Sequence, residues 1–162
     1  MFREMRRKRR LLAEAETIQI FERGTSGVLA LSGDEGYPYA VPLSYVYADG
    51  RIIFHGAKSG HKIDAIRGCE KASFCVIDRD QVVPEEYTTW FRSAIAFGRV
   101  RIIDQDAEKR AAIELLSEKY SPDDPEGRRA EIEREYKILC MFELRIEHMT
   151  GKEAIELVRS RK

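Results

Sequence analysis

Apolar residues recur at three- and four-residue steps through Leu11, Ala15, Ile18 and Phe21, which predicts an amphipathic helix over residues 11–23 with Gly24 as its stop. The period then shortens. "GVLAL" (27–31) predicts a buried strand, "SGDEG" has turn composition, and "YPYAVPLSYVY" (37–47) is rich in aromatic and β-branched residues. Pro38 and Pro42 cannot donate to a ladder, so that strand is expected to begin irregularly or to run at an edge. Asp-Gly within "ADG" (48–50) predicts a hairpin pairing 37–47 with "RIIFH" (51–55).

A loop of Gly, Ser and Lys follows, then a short helix marked by Ile63, Ala65 and Ile66 and a strand over 72–78. The acidic, Pro-containing "RDQVVPEEY" reads as a long connection. The longest β-run is 88–104, where Arg99 and Arg101 alternate with Val100 and Ile102 and put one face in water. Ala112, Leu115, Leu116 and Tyr120 form the stripe of a helix over 106–119, which "SPDDPEG" breaks. Residues 126–136 are polar with helical character, 138–147 is a last strand, and "GKEAIELV" is a short tail. Short strands joined by hairpins, with only local helices, predict a mainly β, α+β fold: a six-stranded antiparallel barrel with peripheral helices. The 162 residues are expected to form a single domain.

Composition changes this picture little. The chain is 43% hydrophobic and 35% charged, with 28 basic against 28 acidic residues, so it carries no global field for nucleic acid. No apolar run approaches the roughly 20 residues of a membrane span. The start "MFREMRRKRRLLAEAE" lacks the apolar region and cleavage site of a signal peptide, and a cytoplasmic protein is expected. The basic run at residues 6–10 and the terminal "RSRK" read as solvated faces; the alternative, nucleic-acid binding, predicts steeply salt-dependent retention. Cys69, Cys75 and Cys140 are odd in number and lack CxxC spacing, which suggests buried thiols and no disulfide framework. His55, His61 and His148 have no ligand spacing, so no metal site is expected.

Chemistry concentrates in "IIFHGAKSGHKIDAI" (52–66). Ser59 is placed to cap the short helix, whose first N–H groups would face the loop at the positive end of the helix dipole. With His61 and Lys58 or Lys62 these groups form a candidate anion site of the kind a terminal phosphate needs. His55 precedes two small residues, Gly56 and Ala57, where a ligand could approach the backbone closely.

"VPLSYV", "FHGA", "GHK" and "FRSAIAFG" occur in order with the ending "HMTGKEAIELV". In these motifs the chain, from about Met5 to Val158, resembles the pyridoxamine 5′-phosphate oxidase-related FMN-binding split-barrel family, specifically its 5-nitroimidazole-resistance branch. The resemblance implies a six-stranded split barrel that dimerises, with one FMN in each of two interface clefts. Val41, Pro42, Leu43 and Ser44 would run along the isoalloxazine, and His55, Gly56 and Ala57 beside the ring and ribityl chain. Ser59, His61 and Lys62 would hold the phosphate, His61 standing where oxidase relatives have Arg, and Ser93 would contact the flavin. The oxidases' substrate-gripping C-terminal motif is missing, so pyridoxamine phosphate is not the expected substrate. A flavin-dependent reductase of small electrophiles such as nitroaromatics is expected, with His55 as a proton donor. The alternatives are a non-catalytic FMN binder or redox sensor, or a haem or deazaflavin binder on the same barrel.

Overall fold

The computed structural model describes residues 1–160; of the "RSRK" run, Arg161 and Lys162 lie outside the described residues. Its strands are β1 (Ser26–Ser32), β2 (Pro38–Ser44), β3 (Val46–Ala48), β4 (Arg51–Ala57), β5 (Lys71–Val83), β6 (Thr88–Ile102) and β7 (Leu139–Glu153). The helices are α1 (Glu14–Arg23), α2 (His61–Gly68), α3 (Asp106–Tyr120), α4 (Pro125–Glu135) and α5 (Ile155–Ser160). All the strand pairs are antiparallel, in the order β2-β1-β5-β6-β7-β4-β3.

Seven strands replace the expected six because 37–47 is two strands, not one. β2 pairs with β1, and only β3 pairs with β4. These two consecutive strands therefore sit at opposite edges of the sheet, and Tyr45 carries the chain between them. That link rolls the sheet into a barrel, with no ladder joining β2 to β3 or β4. A split barrel results.

The corner at Tyr45 is fixed from α3. The Tyr45 N–H donates to Tyr120 Oη (2.9 Å), whose hydroxyl reaches the carbonyls of Tyr45 (2.9 Å) and Thr25 (2.5 Å). Lys119 donates to the Gly24 carbonyl and lies 4.2 Å from the Tyr45 ring centroid, where burial pushes its ammonium pKa down to about 8. Tyr120→Phe is expected to destabilise the protein by about 1–2 kcal/mol, the net worth of one or two such bonds, read from its urea midpoint.

One core fills the barrel. Leu29, Phe54, Phe74 and Phe142 meet there with Ile20 and Phe21 of α1 and Ile63 of α2. A second cluster lies outside it, where Ile53 and Met141 pack against Ile113 and Leu116 of α3 and Ile132 of α4. Alternation along β4 thus feeds both: Ile52 and Phe54 point inward and Ile53 toward the helices.

Other boundaries also shift. The 79–87 segment is not a loop: β5 extends to Val83, and a 3-10 turn at Pro84–Glu86 closes a long β5–β6 hairpin. α1 starts at Glu14, Leu11 instead forming a bridge with Lys152. β7 continues to Glu153, so most of the expected tail is strand and α5. The basic run at residues 6–10 faces solvent, with Arg10 half-buried, and its last three residues, Lys8–Arg10, form a 3-10 turn. The three cysteines are free; Cys140 is buried, but Cys69 and Cys75 are only half-buried.

Candidate functional site

At the end of β4 the inward position after Phe54 is Gly56, while His55 and Ala57 are exposed on the other face. A side chain at 56 would intrude on Lys62: an added Cβ would lie 3.1 Å from its Nζ. Glycine thus lets Lys62 pass beneath the strand end, where Nζ lies 5.6 Å from the Phe142 ring centroid and burial lowers its pKa. Although His55 reaches solvent, partial desolvation of its ring within the cleft, and then repulsion from Lys62, hold it below the usual histidine range. Its imidazole is therefore mainly neutral at pH 7.

α2 begins at His61, and Gly60, not Ser59, is its N-cap. The reason is conformational: φ is +113° at position 60, a value glycine adopts without strain. The Gly60 carbonyl accepts from the N–H groups of Ile63 (2.9 Å) and Asp64 (3.1 Å). Ser59 is exposed in the preceding loop, while the first N–H groups of α2 remain without partners inside the helix, as at any helix start. The His61 ring stacks on Tyr39 at 4.0 Å, with Nε2 3.6 Å from an Asp34 carboxylate oxygen. His61 thereby ties α2 to the start of β2.

β2 is an edge strand with β1 as its one partner, so the backbone groups facing away from β1 are open to a ligand. Val41 and Leu43 pack their side chains against the core, leaving backbone as what they offer, while Pro42 and Ser44 are exposed. Ser44 and His55 line one cavity of about 670 Å³ that Ile113, Leu116 and Tyr120 of α3 and Ile132 of α4 wall. Nothing in the β4–α2 junction itself marks this helical wall. Its signal was slight: an apolar stripe on α3 and the lone Ile132 in a polar stretch.

The structure thus gathers residues 41–44, 55–57 and 59–62 around the split between β2 and β4. It does not bring Ser93 there. Ser93 pairs with Ile77 and Lys152 on the outer face of the sheet, and residues 141–152 of β7 separate that point from the strand facing His55. Nearby Arg92 is held by Glu153 (3.0 Å) and Asp78 (3.5 Å), and the Trp90 indole donates to Glu86 (3.1 Å). His148 stacks on Phe2 at 4.8 Å. Among the described residues no His, Cys, Asp or Glu group is arranged to hold a metal, and no helix is long and apolar enough to cross a membrane.

A family model described as pyridoxamine 5′-phosphate oxidase matches residues 13–153, from just before α1 to the end of β7. The chain belongs to the pyridoxamine 5′-phosphate oxidase family. Solved structures share its fold. One is a candidate 5-nitroimidazole antibiotic resistance protein from Bacteroides thetaiotaomicron: TM-score 0.74, 20% identity, covering 88% of this chain and 86% of that one. A FAD-binding protein from Mesorhizobium loti has TM-score 0.66 and 26% identity over 90% and 97%. A FAD and heme binding protein from Mycobacterium smegmatis has TM-score 0.73 and 20% identity over 93% and 78%. No curated protein matches the chain. The family match includes "FHGA", "GHK" and "FRSAIAFG", so Ser93, though remote from the cleft within one chain, lies in a matched segment.

Proposed function

We propose that the protein binds FMN in the split between β2 and β4 and uses it to reduce small electrophiles such as nitroaromatics. The observation that carries this reading is the convergence of three provisions for a flavin nucleotide: the open backbone edge of β2, the side-chain-free strand end at Gly56, and Lys62 beside the start of α2. The flavin-binding relatives of the same fold support it. When bound, the cofactor supplies the electron chemistry. The protein's part is to anchor a phosphate with Lys62, His61, Ser59 and the α2 N–H groups, to hydrogen-bond the ring's polar edge along residues 41–44, and to present His55 beside it.

The reading includes a homodimer with a cleft at each subunit boundary. The outer sheet face supports it: Val28, Ile77, Ile95 and Phe97 are exposed, and Val28 and Ile95 both lie in register with Cys75 between them. Such contiguous apolar surface is characteristic of interfaces. A second copy also offers the route by which Ser93 would reach a flavin.

The test is anaerobic. Protein loaded with FMN and given NADH or NADPH should bleach, then regain its colour on adding a nitroimidazole; a flavin that never cycles leaves a non-catalytic binder. The absorption spectrum and the released cofactor separate FMN from FAD, deazaflavin and haem.

His55 gives the reaction a pH signature. Because burial and Lys62 lower its pKa, the imidazolium is populated only below the ordinary value of 6.5. If His55 donates a proton, turnover should rise as pH falls through a midpoint below 6.5, level off below that midpoint and keep declining above it. His55→Gln should abolish that limb, and a limb that persists would reassign the donor.

A further inference from the structure

Another cavity, about 300 Å³ in volume, adjoins the one His55 lines and shares only Leu139 with it. Three cations from three elements ring it: Lys58 just after β4, Arg67 in the last turn of α2, and Lys109 in α3. Asp104 is the one carboxylate on its wall, and Ile102, Ile103, Leu139 and Met141 make the rest largely apolar.

The charges there are only partly compensated, by Asp104 on the wall and by Asp106, which acts on Lys109. Arginines elsewhere on the sheet, Arg51, Arg99, Arg101 and Arg145 among them, are ion-paired. Among the described residues neither Lys58 nor Arg67 has an ion-pair partner within 4.0 Å. The C-terminal end of α2 favours a cation at Arg67, but that accounts for neither Lys58 nor Lys109. Lys109 is fixed by its bond to the Tyr136 carbonyl (2.8 Å) and by the Tyr136 ring (4.4 Å), and cannot swing away from its neighbours. Its pKa is lowered by burial and then by Lys58, with Cys140 and Asp106 acting in the opposite direction. The buried Cys140 thiol feels all of these charges: burial raises its pKa, Lys109 pulls it down, Asp104 pushes it up, and Arg67 and Lys58 pull it down again.

We propose that this cavity is a second anion site, built to take a phosphate group. Three cations against one carboxylate leave an excess of positive charge that a phosphate dianion matches, and its oxygens can accept from an ammonium and a guanidinium at once. Lys58 and Arg67 reach into solvent at its rim, so a phosphate can enter without displacing protein side chains. The phosphate is either a free one, inorganic or on a small ester, or the second phosphate of a dinucleotide flavin whose first sits at Lys62.

Calorimetric titration of inorganic phosphate into the 162-residue protein, with and without FMN, tests the site against sodium chloride at equal ionic strength. Saturable binding absent with chloride is expected, weakened about tenfold by Arg67→Gln and by Lys58→Gln. Both side chains are exposed, so the variants should melt with the parent protein. Titration of FMN and FAD distinguishes the sources. If Arg67→Gln weakens FAD but not FMN, the site serves a dinucleotide; if both flavins bind unchanged while phosphate binding falls, it serves a free anion. Phosphate binding no better than chloride, or equal in the parent and both variants, overturns the proposal. Failure of FMN to bind would instead overturn the flavin reading and leave the phosphate titration standing.

Discussion

Gly98→Ala is expected to destabilise the protein by roughly 3 kcal/mol, at the upper end of over-packing penalties, and to lower its melting temperature by roughly 6–12 °C. The register of β6 against β7 shifts between Phe97 and Gly98, so that Gly98 faces Ile146 immediately after the irregularity. A Cβ at 98 would stand 1.9 Å from the Arg145 carbonyl oxygen and 2.8 Å from its carbon. Those atoms are backbone in a paired strand and cannot rotate aside as a side chain would. The strands must part, and the damage travels along β7, because the residues after Gly98 pair with 142–145 and residues 139–145 pair in turn with β4. His55 and Gly56 sit opposite Met141 and Cys140, so loss of stability and distortion of the candidate site should appear together. Gly68→Ala is the control, since nothing lies within 4 Å of a Cβ there. Melting of Gly98→Ala alongside the parent protein would show that the bulge relaxes freely.

The same position illustrates what can be read from the chain alone. "FRSAIAFG" marks the family in sequence, but the physical demand on its glycine, a backbone-to-backbone approach at a bulge, depends on a strand nearly 50 residues later. Local signals fared better. Pro38 and Pro42 mark an edge strand, and β2 is one. "GVLAL" marks a buried strand, and β1 stands there with Leu29 and Leu31 buried, although Val28 on its other face is exposed. Signals failed where distant packing decides. Tyr45 carries no Gly or Pro punctuation, and the break there is imposed by Tyr120, 75 residues away. Ser59 has the better capping side chain, but the chain needs a positive φ one residue later, and Gly60 takes the cap.

The junction between β4 and α2 was legible as a polar cluster because its residues are contiguous. Its partners were not. Tyr39 against His61, Phe142 beneath Lys62, and the α3–α4 wall facing His55 come from separate parts of the chain. What they add is a separation of roles between two neighbouring cations. His61 is committed to Tyr39 and Asp34, whereas Lys62 extends under a glycine, half-buried and without an ion-pair partner within 4.0 Å among the described residues.

That difference makes Lys62 the residue on which FMN binding should depend most. Lys62→Ala is expected to weaken FMN affinity by about 10- to 100-fold, the worth of a charge-assisted bond of about 1.5–3 kcal/mol, read from quenching of flavin fluorescence. Burial disfavours its ammonium in the free protein, so an incoming phosphate restores the charge's stabilisation and binds more tightly for it. His61→Ala should lose less, since its ring is already engaged. Lys62→Arg should rescue only part, because Gly56 leaves space for a slender ammonium and not for a planar guanidinium. A second readout is independent of the flavin. Lys62 depresses the His55 pKa, so Lys62→Ala should raise it toward the ordinary histidine value, visible by NMR titration of the imidazole. If the His55 titration moves while FMN affinity stays put, Lys62 tunes the neighbouring imidazole and the phosphate is held elsewhere. If both move, one half-buried ammonium couples cofactor binding to the protonation of the proposed donor: a phosphate that neutralises Lys62 also relieves its repulsion of the imidazolium, and FMN binding itself should raise the pKa of His55.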